Sequence, residues 1–238
     1  MNKFCAVVPA RRDSKGVVGK NLYPVGGIPL IEHTFRQLKL STNVDNVIVT
    51  TDDLQVSELA RNYGYVVVKR PEQLATDSAT LDEVILDLMD SNHMNEYDSF
   101  GVFQPTSPLR IAEDIDSAIK LHELNNFKSV ISATEIPYHL YEIFKYDNEK
   151  KAATWLSDQN AQRNRRQDYP EKSIYFMDGS IYIHCCQLYK VTKSLDGNMN
   201  FLIYLTPNER AIDIDNVSDI EKVEGYLKMI NNKNTTEL

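Results

Sequence analysis

Long apolar runs are missing from this chain: no stretch approaches the roughly 18 consecutive apolar residues that a membrane-spanning helix needs. Cysteine is scarce. Cys5, Cys185 and Cys186 make an odd count with no metal-ligand spacing; this excludes a disulfide scaffold and reads as reduced thiols in a cytoplasm. Positive charge is in deficit, with a net charge of −8, which weighs against nucleic acid as a main partner but leaves anionic substrates open to local Lys and Arg clusters. The opening MNKFCAVVP runs from a short apolar stretch into polar residues with no small-residue cleavage site, against a signal peptide. His33, His93, His122, His139 and His184 show no spacing for a metal site or triad, and Trp155 reads as a packing residue. What is present is ordinary for a soluble globular protein, 42% hydrophobic and 25% charged. The length suits one substantial core.

Strand-like and helix-like segments alternate. Phe4 to Val8 suits a buried parallel strand. Leu30, Ile31, Thr34, Phe35 and Leu38 recur at helical spacing, with Pro29 suited to a first turn. Further strands are expected at Val47 to Thr50, Tyr65 to Val68, Phe100 to Phe103 and Ser129 to Ala133. Helices are expected at Leu54 to Tyr63 (stopped by Gly64), Thr80 to Met89 and about Ile111 to Leu124. This rhythm predicts an α/β fold: a mainly parallel sheet flanked by helices. From Glu135 to Pro170 the alternation fades into aromatic residues and the Arg-rich QNAQRNRRQDYP. That excursion is either a surface loop or an arm that packs on a second copy, since structureless stretches of this length are usually functional. Strands then follow at Ser180 to His184, Phe201 to Leu205 and Ala211 to Ile214, and a last helix carries Val217, Ile220, Val223, Leu227 and Ile230. No internal repeat or linker divides the chain, so residues 1–238 read as one domain.

In open α/β sheets ligands bind beyond the carboxyl ends of the strands. Residues 9–21, 69–80, 104–110 and 213–215 all fall at such ends, so one sheet would bring them to a common edge. The first of these holds Arg11, Arg12, Ser14, Lys15, Gly16, Gly19, Lys20 and Asn21. Cations and glycines in one loop suit an oligophosphate, because glycines let backbone N–H groups approach while the cations offset charge. A solvated basic turn is the plainer alternative. Neither the Gly-x4-Gly-Lys-[Ser/Thr] nor the Gly-x-Gly-x-x-Gly pattern is present. Asp213 and Asp215, spaced i and i+2 on an expected strand, would point the same way and could share a hard cation such as Mg²⁺; they could equally end the strand and cap the last helix. Asp52 reads as a helix-start or loop residue.

VVPARRDSKGVVGKN resembles the signature of CMP-sialic acid synthetases (acylneuraminate cytidylyltransferases), about I-P-A-R-x-x-S-K-G-[IL]-P-x-K-N. TTDD (50–53), KRPEQLATDSAT (69–80), QPTSPLR (104–110), DGSIYI (178–183) and IDID (212–215) follow in the family's order. The resemblance implies a Rossmann-like nucleotidyltransferase with a protruding dimerisation arm at about 135–172. It implies that CTP is coupled to the anomeric hydroxyl of a nonulosonic acid, with Mg²⁺ as cofactor, in a cytoplasmic homodimer. On that resemblance Arg11, Ser14, Lys15 and Lys20 would cradle the triphosphate. Asn21, Arg70 and the Ala79-Thr80 turn would hold the cytidine. Gln104, Asp178 and Tyr182 would meet the acidic keto-sugar, and Arg166 would reach its carboxylate across the dimer. Asp213 and Asp215 would bind the metal, and Arg11, Lys20 and Asp215 would act on the reacting phosphate.

The departures from the family pattern fall mostly on the sugar side. Val18 replaces the usual Pro, Asp13 stands where Gly or Asn is more usual, and Asp178 stands where Asn precedes Gly-Ala-Ile-Tyr. The usual His-Pro pair is absent between Ile136 and Phe144. Three rival readings remain: a 3-deoxy-manno-octulosonate cytidylyltransferase, a metal-dependent glycosyltransferase using Asp213 and Asp215, and a nucleotide-binding module without turnover. The octulosonate enzymes typically carry Lys-Pro where this chain has Lys20-Asn21. The cation-rich loop speaks against a glycosyltransferase, because a triphosphate needs more cations than a diphosphate sugar.

Overall fold

A computed structural model describes residues 2–13, 16–156, 174–196 and 200–236. Its centre is β1 (Phe4–Pro9), buried at every position. Such a strand must have both faces covered, and the apolar run FCAVVP supplies both. Parallel partners lie on either side: β4 (Asn46–Thr51) with Val7 opposite Ile48, and β6 (Ser99–Val102) with Val7 opposite Val102. β5 (Val66–Lys69) continues the sheet beyond β4. β10 (Tyr175–Cys185) pairs antiparallel with β6 and with β7 (Val130–Glu135), and β11 (Leu202–Leu205) closes the other edge. The seven-stranded order is β11-β7-β10-β6-β1-β4-β5.

The two faces of β1 point into different cores. Phe4, Ala6 and Val8 face α1 (Leu30–Leu40), α2 (Leu54–Asn62) and α4 (Ala112–Leu124), where Ile31, Phe35, Val56 and Ile115 are buried. Cys5 and Val7 face α3 (Leu81–Asp90) and α5 (Cys186–Thr192), where Ile85, Leu88 and Tyr189 are buried. A third, smaller cluster joins Val17, Val25, Leu30, Leu109 and Ile214 to Ile220 and Val223 of α6 (Val217–Thr236). It ties the basic loop, the 104–110 loop and the 213–215 segment together at one end of the sheet.

Three expectations need correction. Ala211 to Ile214 is not a strand: its lateral backbone bond is Ile214 N–H to Thr106 O at 2.8 Å, and Ile214 packs on α6 rather than joining the sheet. The strand expected at Ser180 to His184 begins five residues earlier and passes through an irregularity between Met177 and Tyr182, where Gly179 takes φ 73°. The 135–170 excursion contains a two-stranded hairpin made by β8 (Phe144–Asp147) and β9 (Ala152–Trp155). β2 (Pro24–Val25) and β3 (Ile28–Pro29) form a second short hairpin leading into α1. Residues 157–173 lie outside the described residues.

Candidate active site

The carboxyl ends of β1, β5 and β6 open onto a cleft of about 240 Å³. Nine of the residues singled out from sequence line it: Arg11, Lys20, Asn21, Arg70, Ala79, Thr80, Gln104, Asp213 and Asp215. Ser14, Lys15 and Arg166 lie outside the described residues. Asp178 and Tyr182 lie beside the cleft and do not line it. Tyr182 is packed on the core under α3, and burial, then Asp178 and Asp213, raise its hydroxyl pKa.

The basic loop is held by its own backbone. Gly19, at φ 63°, turns the chain into a short helical turn, Lys20–Leu22. Asn21 Nδ2 donates to Arg11 O at 2.8 Å, closing the loop on itself. Asp52 accepts from Arg12 N at 2.7 Å, whereas Asp53 caps α2 through Gln55 N and Val56 N, so the two acids of TTDD divide between bracing the loop and starting the helix. Lys20 Nζ donates to Ile214 O at 2.8 Å and lies 3.5 Å from Asp215 Oδ1.

Opposite stands the segment after β5. Arg70 is 5% exposed, and its Nη2 donates to Thr50 O at 3.3 Å. Burial lowers its pKa to about 10, opposed by Asp52 and reinforced by Arg11, so it stays charged at neutral pH. Arg11 Nη1 pairs with Asp77 Oδ1 at 2.5 Å across the opening. Thr80 starts α3 in a reciprocal capping box with Glu83. Thr76, Asp77 and Thr106 also line the cleft. They stand inside the segments read as ligand-binding, but no spacing rule marked them.

The acid pair sits at the floor. Ile212 and Ile214 turn into the α6 cluster, so the intervening Asp213 and following Asp215 face the cleft without any strand. Burial raises the Asp213 carboxyl above the usual range, Thr106 opposes this by a hydrogen bond, and Asp215 adds to it. Asp215 is mostly exposed. Two carboxylates on one wall suit a hard cation that takes one or two such ligands together with substrate phosphates. Among the described residues, no group of three His, Cys, Asp or Glu side chains is placed to hold a metal by itself.

The cleft thus has cations on two walls and an acid pair between them. Residues 5–223 match the model of the family described as Cytidylyltransferase. The chain belongs to the cytidylyltransferase family. It is 33% identical over 222 residues to N-acylneuraminate cytidylyltransferase of Escherichia coli, covering 92% of this chain and 51% of that one. It therefore spans about half the length of that relative. It is 31% identical over 233 residues to CMP-N,N'-diacetyllegionaminic acid synthase of Legionella pneumophila, covering 95% and 97% of the two chains. The fold is similar to a solved structure of CMP:2-keto-3-deoxy-manno-octonic acid synthetase complexed with CTP, at a TM-score of 0.67 and 17% identity over 96% of this chain and 99% of that one. No helix among the described residues of this cytidylyltransferase is long and apolar enough to cross a membrane.

Proposed function

We propose that this cytidylyltransferase couples CTP to the anomeric hydroxyl of a nonulosonic, sialic-type acid, releasing pyrophosphate. The observation that carries this reading is the convergence of Arg11, Lys20, Arg70 and the Asp213–Asp215 pair on one cleft. Arg11 and Lys20, with Ser14 and Lys15, would cradle the triphosphate, while Asn21, Arg70, Ala79 and Thr80 would hold the cytidine. Gln104, Tyr182 and Arg166 would meet the acidic sugar, and Asp178 would serve that half from beneath.

The sugar's hydroxyl oxygen forms a bond to the α-phosphorus as the bond from that phosphorus to the bridging oxygen breaks. Pyrophosphate leaves with that bonding pair, and the hydroxyl proton passes to solvent. No covalent enzyme intermediate is needed, so the protein's part is to hold two anions together and offset developing charge. Lys20, already fixed on Ile214 O, presents its ammonium beside the acid pair without further ordering. Asp213 and Asp215 would hold Mg²⁺, which when bound supplies charge neutralisation for phosphate oxygens. Burial, with a lesser contribution from Asp215, holds the Asp213 carboxyl above its usual range, and a cation there would offset both.

The same reading makes the protein a cytoplasmic homodimer. Its cysteines are free, and Phe144, Tyr146, Trp155, Phe176 and Met177 leave apolar surface exposed along the β8–β9 hairpin and the start of β10. A pyrophosphate-release assay with CTP, Mg²⁺ and a panel of nonulosonic and octulosonic acids tests the reading. Turnover of a nonulosonic acid is expected. Turnover confined to an octulosonic acid, or CTP binding without turnover on any member, would overturn it.

A further inference from the structure

We propose that Arg110 is a positioning residue that sets the sugar half of the cleft, and that Asp178 is the counter-charge that keeps it there. The inference rests on the proposed sugar activation for its kinetic consequence, but its structural content stands on the residues themselves.

The backbone ladder between β6 and β10 reaches Val102 opposite Tyr182, and β10 then becomes irregular at Gly179. Past that point the Arg110 guanidinium bridges the two segments. Nη1 donates to Ser180 O at 2.5 Å, and Nη2 donates to Gln104 O at 3.3 Å and to Thr34 Oγ1 on α1 at 2.9 Å. The group also lies 5.2 Å over the Phe103 ring. A planar fork can reach three segments at once, which a lysine ammonium on a flexible stem does less well. Gln104 then turns its own Nε2 to Gly179 O at 3.3 Å. Gly179 is the neighbour of both cleft groups here: a Cβ at that position would lie 3.7 Å from Gln104 Nε2 and 3.9 Å from Asp213 Oδ2.

A guanidinium that is 2% exposed needs a counter-charge, because a buried uncompensated ion is costly. Asp114 is already engaged by Arg210, Tyr204 and the α4 amide at Ile111. Asp178 is 4% exposed, accepts from Ser132 Oγ and from Ser180 N through Oδ1, and keeps Oδ2 buried without a hydrogen-bond partner among the described residues. Burial lowers the Arg110 pKa to about 10, opposed first by Asp178 and then by Asp114. Arg110 and Asp178 meet on Ser180, whose carbonyl accepts from Arg110 Nη1 while its N–H donates to Asp178 Oδ1, so Asp178 acts on the cleft through Ser180 and the bulge.

The test measures pyrophosphate release and hydrogen exchange for Arg110→Lys and Asp178→Asn. Loss of the fork should raise the sugar KM about tenfold or more, since small misplacements of positioning groups are costly, while the CTP KM stays within about twofold. Exchange of the 175–182 backbone should rise in the same variants. A folded Arg110→Lys protein with an unchanged sugar KM, or with both KM values raised equally, overturns the proposal. If Arg110→Lys does not fold, Thr34→Val removes one acceptor of the fork at nearly constant volume, and the same split decides. A wild-type protein that turns over no acidic sugar defeats the proposed function instead, and faster 175–182 exchange in the variants would still support the clamp.

Discussion

The carbonyl of Asp215 occupies the space where Gly16 would carry a side chain: a Cβ built on Gly16 would fall 1.9 Å from Asp215 O. The basic loop and the acid pair are thus in backbone contact, and a methyl group cannot enter without moving one of them. Gly16→Ala is expected to lower kcat/KM by about a hundredfold, as ångström-scale misplacement does elsewhere. The melting temperature should change little, because the contact lies at the cleft and outside the two main cores. Near wild-type turnover would show that the two segments can separate freely.

Asp215→Ala leaves Asp213 alone beside Lys20. Turnover should fall by about 10² to 10³, the usual cost of losing one charge-stabilising group. Because Asp213 titrates above the usual carboxylate range, protons compete with a cation there as the pH falls. The Mg²⁺ concentration needed for half-maximal rate should accordingly rise toward low pH in the wild type. A Mg²⁺ requirement that does not rise as the pH is lowered through the carboxylate range would remove Asp213 from cation binding.

Arg11 and Asp77 form an ion pair with side chains 29% and 39% exposed. A triphosphate would compete with that carboxylate for the guanidinium. Exposed pairs of this kind contribute at most about 1 kcal/mol. Asp77→Asn is therefore expected to lower the CTP KM by no more than about fivefold, and Arg11→Ala should raise it. If Asp77→Asn raises the CTP KM, the pair orders the opening and does not compete with substrate.

The sheet was legible because Phe4 to Pro9, Asn46 to Thr51 and Ser99 to Val102 are short apolar runs with helical patterns between them. The cleft was legible because its cations and acids sit where those runs end. Elsewhere pattern and structure part for physical reasons. The alternation of Ile212-Asp213-Ile214-Asp215 records burial on one side, which α6 supplies as well as a sheet would. The β8–β9 hairpin is exposed at every position, so it has no buried face to write a period of two. Asp178 reads from its motif as a sugar-binding group, and only its burial and its bonds to Ser132 and Ser180 show it bracing the bulge that Arg110 also holds.

His184 is buried, with Nδ1 2.9 Å from Ser129 Oγ and its ring against Phe100 and Tyr189. Burial, with a smaller contribution from His122, lowers its pKa from 6.5 to about 4. His122, held by Lys128 O and Ser99 Oγ, is shifted in the same direction, again by burial. The unfolded chain thus takes up protons at these sites before the folded protein does. Their contribution to stability is full above about pH 6.5 and declines as the pH falls toward 4. His184 alone gives a slope of up to about 1 kcal/mol per pH unit in that window. Urea unfolding at several pH values from 7 to 5 should show this decline. His184→Gln, whose amide can still meet Ser129, should flatten it even if it lowers stability at pH 7. An equally steep decline in the variant would assign the acid sensitivity between pH 7 and 5 to His122 and remove His184 from it, because Glu32, Asp116 and Asp219, held below their usual range by hydrogen bonds, lose their contribution only at lower pH.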